Sequence, residues 1–218
     1  MIQIKNKINF IFDFDGTIAD SFIIHKNAFE EALKDYDLRF NYADYLGMTT
    51  NSVIEEIFNL NKRAIDRNEI NLLVQKKRFL ANRGFLQDIQ PIPGAIEFIK
   101  LLEGRKTFHL FVASSGSEAN VLAGLAKMNI IGKFEKILTA NDIKNGKPDP
   151  EIFLKIIVDF NLKKNETLII EDAFSGLLAA KNAGIDAVCI DKNMPETFIE
   201  DSFLRLNFFD LLNLLQEV

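Results

Sequence analysis

Two carboxylates one residue apart, Asp13 and Asp15, close the run Ile8-Asn9-Phe10-Ile11-Phe12 and are followed at once by Gly16 and Thr17. Aspartates so placed can act as nucleophile, as acid–base groups or as metal ligands. Three later stretches carry related punctuation. Phe111-Val112-Ala113 runs into Ser114-Ser115-Gly116-Ser117. Hydroxyls and free amides ahead of a helix suit an anion, although the same residues also make ordinary loops and caps. Lys147 stands in Lys147-Pro148-Asp149-Pro150, where proline stiffens the backbone around a point charge suited to phosphate. A solvated loop lysine would look the same. Ile169-Ile170 ends in Glu171 and Asp172. Acids at the tips of two adjacent strands repel unless a cation lies between them, and oxygen-only ligands point to Mg²⁺.

These groups need rigid elements behind them. A short Ile- and Phe-rich run reads as a strand buried on both faces, and the carboxyl end of such a strand opens into the ligand crevice of an α/β sheet. Asp13 and Asp15 share strand parity, so both face one ligand if the extended backbone continues through Asp15. Gly16 permits a tight turn directly afterwards. Residues 21–36 have helical spacing, with Asp20 or Ser21 as cap. Residues 37–90 show no convincing strand, only helices over 52–60 and 66–83. Pro91-Ile92-Pro93-Gly94 then breaks the pattern.

Beyond it, helices over 95–103, 118–128, 151–160, 174–183 and 208–217 alternate with strands over 108–113, 136–138, 168–170 and 187–190. That order predicts an α/β protein, a doubly wound parallel-sheet (Rossmann-like) core made of residues 1–20 and 91–218, with an inserted α-helical cap over 21–90.

The bulk properties exclude other classes. A net charge of −5 without a basic stripe argues against nucleic-acid or anionic-membrane partners. No apolar run approaches the ~20 residues that span a bilayer, and residues 1–7 lack a signal-peptide core. A cytoplasmic, monomeric protein is expected. The lone cysteine, Cys189, reads as a small buried hydrophobe, and His109, within an apolar strand, as a core histidine.

Taken in order, the four stretches resemble the motifs of the haloacid dehalogenase-like superfamily of phosphotransferases. Asp13-Phe14-Asp15-Gly16-Thr17 matches its first motif, Ser114 its second, Lys147 its third and Glu171-Asp172 its fourth. The helical insertion directly after the first motif resembles the subgroup of phosphoglycolate phosphatases and β-phosphoglucomutase. The resemblance implies that Asp13 is the nucleophile and that Asp15 protonates the leaving oxygen and later activates water. It implies Mg²⁺ on Asp13, the Asp15 carbonyl and Asp172, with Glu171 nearby, and the phosphoryl oxygens on Ser114, Ser115 and Lys147. True dehalogenases lack the second acid, so Asp15 argues against them.

In the cap, Lys77 falls mid-stripe among Ile70, Leu73, Val74, Leu80 and Ala81. A lysine there either snorkels or reaches into a cleft, where cap lysines of this subgroup contact substrate; Lys76 is the fallback. His25 resembles a histidine found in both mutase and phosphatases. Thr50 stands where the mutase has an arginine. The reading is therefore a Mg²⁺-dependent phosphatase of a small phosphorylated metabolite. The alternatives are a sugar-phosphate mutase and a non-enzymatic phospho-acceptor like a receiver domain, which is shorter and capless.

Overall fold

The computed structural model describes residues 4–191, 194 and 203–216. In chain order the regular elements are β1 (Asn9–Phe12), β2 (Ala19–Asp20), α1 (Phe22–Leu33), α2 (Thr50–Leu60), α3 (Arg67–Gln87), β3 (Gln90–Pro91) and α4 (Ala95–Glu103). There follow β4 (His109–Ala113), α5 (Glu118–Lys127), β5 (Lys136–Leu138), α6 (Glu151–Asp159), β6 (Thr167–Glu171), α7 (Phe174–Ala183), β7 (Asp186–Cys189), β8 (Phe203–Arg205) and α8 (Phe208–Gln216). Glu217, expected to close the last helix, lies outside the described residues.

Six strands form one parallel sheet in the order β5-β4-β1-β6-β7-β8. The first strand of the chain is thus an inner strand, flanked by β4 and β6, and all four of its residues are buried. Successive side chains of a strand point to opposite faces. Phe10 and Phe12 accordingly pack with Phe98 of α4, Val121 of α5 and Leu211 of α8, while Ile11 packs with Phe153 of α6 and Leu177 of α7. Each such side chain contributes about 1.5–3 kcal/mol on burial, which fixes the strand's register and the position of its carboxyl end.

The helices between β2 and β3 build a third apolar cluster from Phe29, Leu33, Val53, Ile54, Ile57, Leu73 and Val74. Their entry and exit strands pair with each other: β2 and β3 form an antiparallel ribbon, Ala19 opposite Pro91 and Asp20 opposite Gln90. Asp66 caps α3 by accepting from the Glu69 N–H at 2.9 Å, and Thr49 caps α2 through the Ser52 N–H. Among the described residues, no helix is long and apolar enough to cross a membrane.

Four local expectations change. The helix over 21–36 is α-helical only to Leu33 and tightens into a 3₁₀ turn over Lys34–Tyr36. Ser21 makes no capping bond, because its hydroxyl is turned to Asp15. β8 lies in a stretch where no strand is expected from residue pattern. His109 is not a core residue. It begins β4 at the amino end of the sheet, its side chain is 43% exposed, and Nδ1 meets Glu135 Oε1 at 2.6 Å. Apolar neighbours on both sides in the sequence hid that the His109 side chain opens to solvent beside Glu135 at the start of β4. Cys189 is fully buried, and burial raises its thiol to about 11.

Candidate active site

The carboxyl ends of β1, β4 and β6 bring together residues from four separate stretches of the chain. Asp13 follows β1, and its N–H donates to the Ile170 carbonyl at 2.9 Å, locking it beside β6. Ser114 follows β4, with its N–H on the Leu138 carbonyl. Glu171 is the last residue of β6, and Lys147 enters from the loop before α6. The Lys147 ammonium donates to Asp13 Oδ1 and Glu171 Oε1, both at 2.5 Å, and to the Ala113 carbonyl at 3.0 Å. Burial alone would lower the Lys147 pKa, but its two carboxylate partners outweigh that and push it up. It is a fixed cation, not a solvated loop lysine.

One lysine does not balance the acids. Asp13, Glu171 and Asp172 each offer an oxygen, and these three atoms lie within 4.8 Å of one another. Burial raises the Asp13 carboxyl well above the usual range; Lys147 opposes this, and the charges of Glu171, Asp172 and Asp15 add to it. Asp172 is raised in the same way, by burial and then by Glu171. Three carboxylates on one buried ammonium leave room, in charge and in donors, for a hard divalent cation. The fit extends to the backbone. Gly16 has φ +79°, and a Cβ there would stand 2.0 Å from Asp172 Oδ2. Asp172 is further held by the Thr17 hydroxyl, which donates to Oδ1 at 3.0 Å. Glu171 already accepts from Lys147 and from the Asp172 and Ala173 N–H groups, so Asp13 and Asp172 are the freer donors.

Asp15 lies beyond the end of β1, yet it lines one cavity with Asp13. Its Oδ1 is 2.8 Å from His25 Nε2, and His25 Nδ1 is 2.9 Å from Lys77 Nζ. An ammonium can only donate, so Nδ1 accepts and the ring proton sits on Nε2, pointing at Asp15. Burial and then the charge of Lys77 lower the His25 pKa, which keeps the ring neutral. For Asp15, burial acts upward, but His25, Ser21 and Lys77 outweigh it and its pKa is lowered. Lys77 is only 4% exposed and sits over the Phe29 ring at 4.4 Å. It therefore reaches inward. Lys76 instead bonds the Ala32 carbonyl and Asp35 on the outside of the helices.

The cavity measures about 40 Å³ and is lined by Asp13, Asp15, His25, Lys77, Thr50 and Ser115 among others. Among the described residues the buried Ser115 hydroxyl has no partner, whereas Ser114 Oγ accepts from the Gly116 N–H at 2.9 Å. A wider cleft of about 560 Å³ opens past Gly16 and Asp172, walled by Phe22, Ile92, Phe208 and Phe209. Sequence reasoning missed one cavity residue of evident chemistry, Tyr42. It sits in a 3₁₀ turn, Tyr42–Tyr45, started by Asn41, and no motif spacing marks it. The one local signal is Asn41, a good cap for that turn.

The sequence profile of the haloacid dehalogenase-like hydrolases matches residues 10–190, so the chain belongs to that family. Fructose-1-phosphate phosphatase YqaB of Escherichia coli K12 is 29% identical over 82% of this chain and 93% of its own length. Beta-phosphoglucomutase of Bacillus subtilis 168 is 26% identical over 85% of this chain and 84% of its own. A solved hydrolase from Pseudomonas syringae superposes with a TM-score of 0.84 at 26% identity, covering 97% of this chain and 99% of that one.

Proposed function

We infer that this hydrolase is a phosphatase of small phosphate monoesters working through an aspartyl-phosphate. The observation that carries the reading is the buried contact of Lys147 with both Asp13 and Glu171 beside Asp172, a site whose charge is completed by a cation and a phosphoryl group together. In the first half-reaction an Asp13 oxygen bonds to phosphorus while the ester P–O bond breaks. The electron pair leaves with the alcohol oxygen, which takes a proton from Asp15. In the second, water attacks phosphorus, gives its proton to Asp15, and the Asp13–phosphorus bond breaks to release phosphate. A lowered Asp15 pKa leaves the group ionised at neutral pH, which suits the water step; it must be loaded with a proton before the alcohol can leave.

Mg²⁺ suits the donors Asp13, Asp172 and the Asp15 carbonyl, with Glu171 beside them, and when bound it supplies positive charge to the phosphoryl oxygens. Ser114, Ser115 and Lys147 hold the non-transferring oxygens. Lys77 orients His25, and His25 orients Asp15. Residues 21–90 act as the cap over a core of 1–20 and 91–218, with the β2–β3 ribbon as the pair of crossings on which closure pivots. A sugar monophosphate is the substrate class, in line with the fructose-1-phosphate phosphatase relative. The mutase reading draws on the phosphoglucomutase relative, but Thr50 offers the cavity a neutral hydroxyl where that reading calls for arginine.

The test is a panel of phosphorylated metabolites assayed for released phosphate with Mg²⁺ and with EDTA, alongside Asp13→Asn. Metal-dependent release that Asp13→Asn abolishes is expected. Full activity in chelator, or an Asp13→Asn variant within tenfold of the parent, would defeat the assignment. Transfer of the phosphoryl group to a sugar hydroxyl without phosphate release would favour the mutase.

A further inference from the structure

We propose that Tyr42 is a phosphate-binding residue, its hydroxyl donating a hydrogen bond to a phosphoryl oxygen from the side opposite Ser115. This rests on the phosphatase reading above. The ring is fixed by aromatic neighbours, with centroids 5.5 Å from Phe22, 5.3 Å from Phe29 and 6.3 Å from His25. A phenylalanine would fill that pocket equally well, so packing gives no reason for the hydroxyl. Yet Tyr42 lines the small cavity together with Asp13, Asp15 and Ser115.

The other polar groups brought by α1 and α3 are already engaged there. Lys77 Nζ is on His25 Nδ1, and His25 Nε2 is on Asp15. Among the described residues the Tyr42 hydroxyl has no hydrogen-bond partner, not even one of the nearby carboxylates. Burial, and after it the charges of Asp15, Asp172 and Asp13, push its pKa up, so the phenol stays protonated and remains a donor. A donor facing the place where three acids converge lacks an anionic acceptor, and phosphoryl oxygens are that acceptor. The cavity of about 40 Å³ is far below the size of a site for a drug-sized ligand, so it admits the phosphoryl head and not the whole alcohol. Ser115, with its buried and unpartnered hydroxyl, faces the same head from the β4 side.

The experiment uses Tyr42→Phe, which keeps the ring. Inorganic phosphate is measured as a competitive inhibitor and by calorimetry. Turnover is followed with p-nitrophenyl phosphate and with fructose 1-phosphate, and thermal midpoints are recorded. Loss of one hydrogen bond to a charged group predicts phosphate affinity weaker by roughly ten- to a hundredfold. Turnover of both esters should fall by similar factors with the midpoint unchanged. Tyr42→Leu should lower the midpoint yet weaken phosphate no further than the Phe variant. Unaltered phosphate affinity in Tyr42→Phe overturns the proposal, and so does a loss confined to fructose 1-phosphate, which would put the hydroxyl on the alcohol. Phosphate affinity decides Tyr42 even if neither ester is turned over, in which case the phosphatase reading alone falls.

Discussion

Lys147 and Asp13 are 134 residues apart in the chain, and their charged atoms are 2.5 Å apart in the fold. The same ammonium holds Glu171, so one side chain ties the loop before α6 to the ends of β1 and β6. Each partner is buried, and the pair shapes both the stability and the chemistry of the site.

Removing that cation should be costly twice over. Lys147→Met leaves buried carboxylates uncompensated, which typically costs about 3–5 kcal/mol in unfolding free energy. Loss of a positive group at the phosphoryl oxygens should lower kcat about 10²–10³-fold. Urea unfolding and steady-state kinetics on one preparation would check both. Wild-type stability in the variant would mean that the contact with Asp13 and Glu171 is not made in solution.

Asp15 should separate the two half-reactions. p-Nitrophenolate departs without being protonated, so Asp15→Asn should still transfer the phosphoryl group to Asp13 from p-nitrophenyl phosphate. Hydrolysis of the intermediate needs a base and should fall by about 10²–10⁴-fold. Rapid mixing should therefore show a burst of about one equivalent of p-nitrophenol followed by a stall. A variant with no burst and uniformly slow turnover would remove the acid–base role from Asp15.

Lys77 carries a pH signature. Burial, opposed by Asp15 and aided by Arg78, lowers its pKa to about 8. In the unfolded chain a lysine keeps its proton to about pH 10.4. Between these values the unfolded chain binds more protons, so this group makes folding stability rise with pH across that window and adds no slope below pH 8. The gain amounts to about 3 kcal/mol at most. Stability of the parent relative to Lys77→Met, measured by urea at pH 7, 8.5 and 10, should climb in that order. A constant difference would contradict a buried, proton-shedding lysine. Because Lys77 is bonded to His25, the variant should lose activity on p-nitrophenyl phosphate as well as on a sugar phosphate. A lysine that touched only the sugar would spare the former.

The local sequence by itself determined most of the elements, β8 and the β2–β3 ribbon apart, and the chemical inventory. Apolar runs that stop at Asp13, Ser114 and Glu171 mark buried strands whose ends are polar, because a strand covered on both faces has no other use for such residues. Lys77 was legible as a residue of interest, since a charge centred on an apolar stripe must snorkel or find a partner, but only the fold chose the inward course and sent Lys76 outside. The tertiary structure alone decided what each group meets. Periodicity carries no information on which nitrogen of His25 faces Lys77, or on Lys147 lying between Asp13 and Glu171, because those contacts span 52, 134 and 24 residues. It also misjudged His109, whose side chain opens to solvent beside Glu135, a residue 26 positions away. Tyr42 stayed hidden for the same reason: its ring is placed by three aromatic neighbours from α1, and its hydroxyl acquires meaning only beside acids from the sheet.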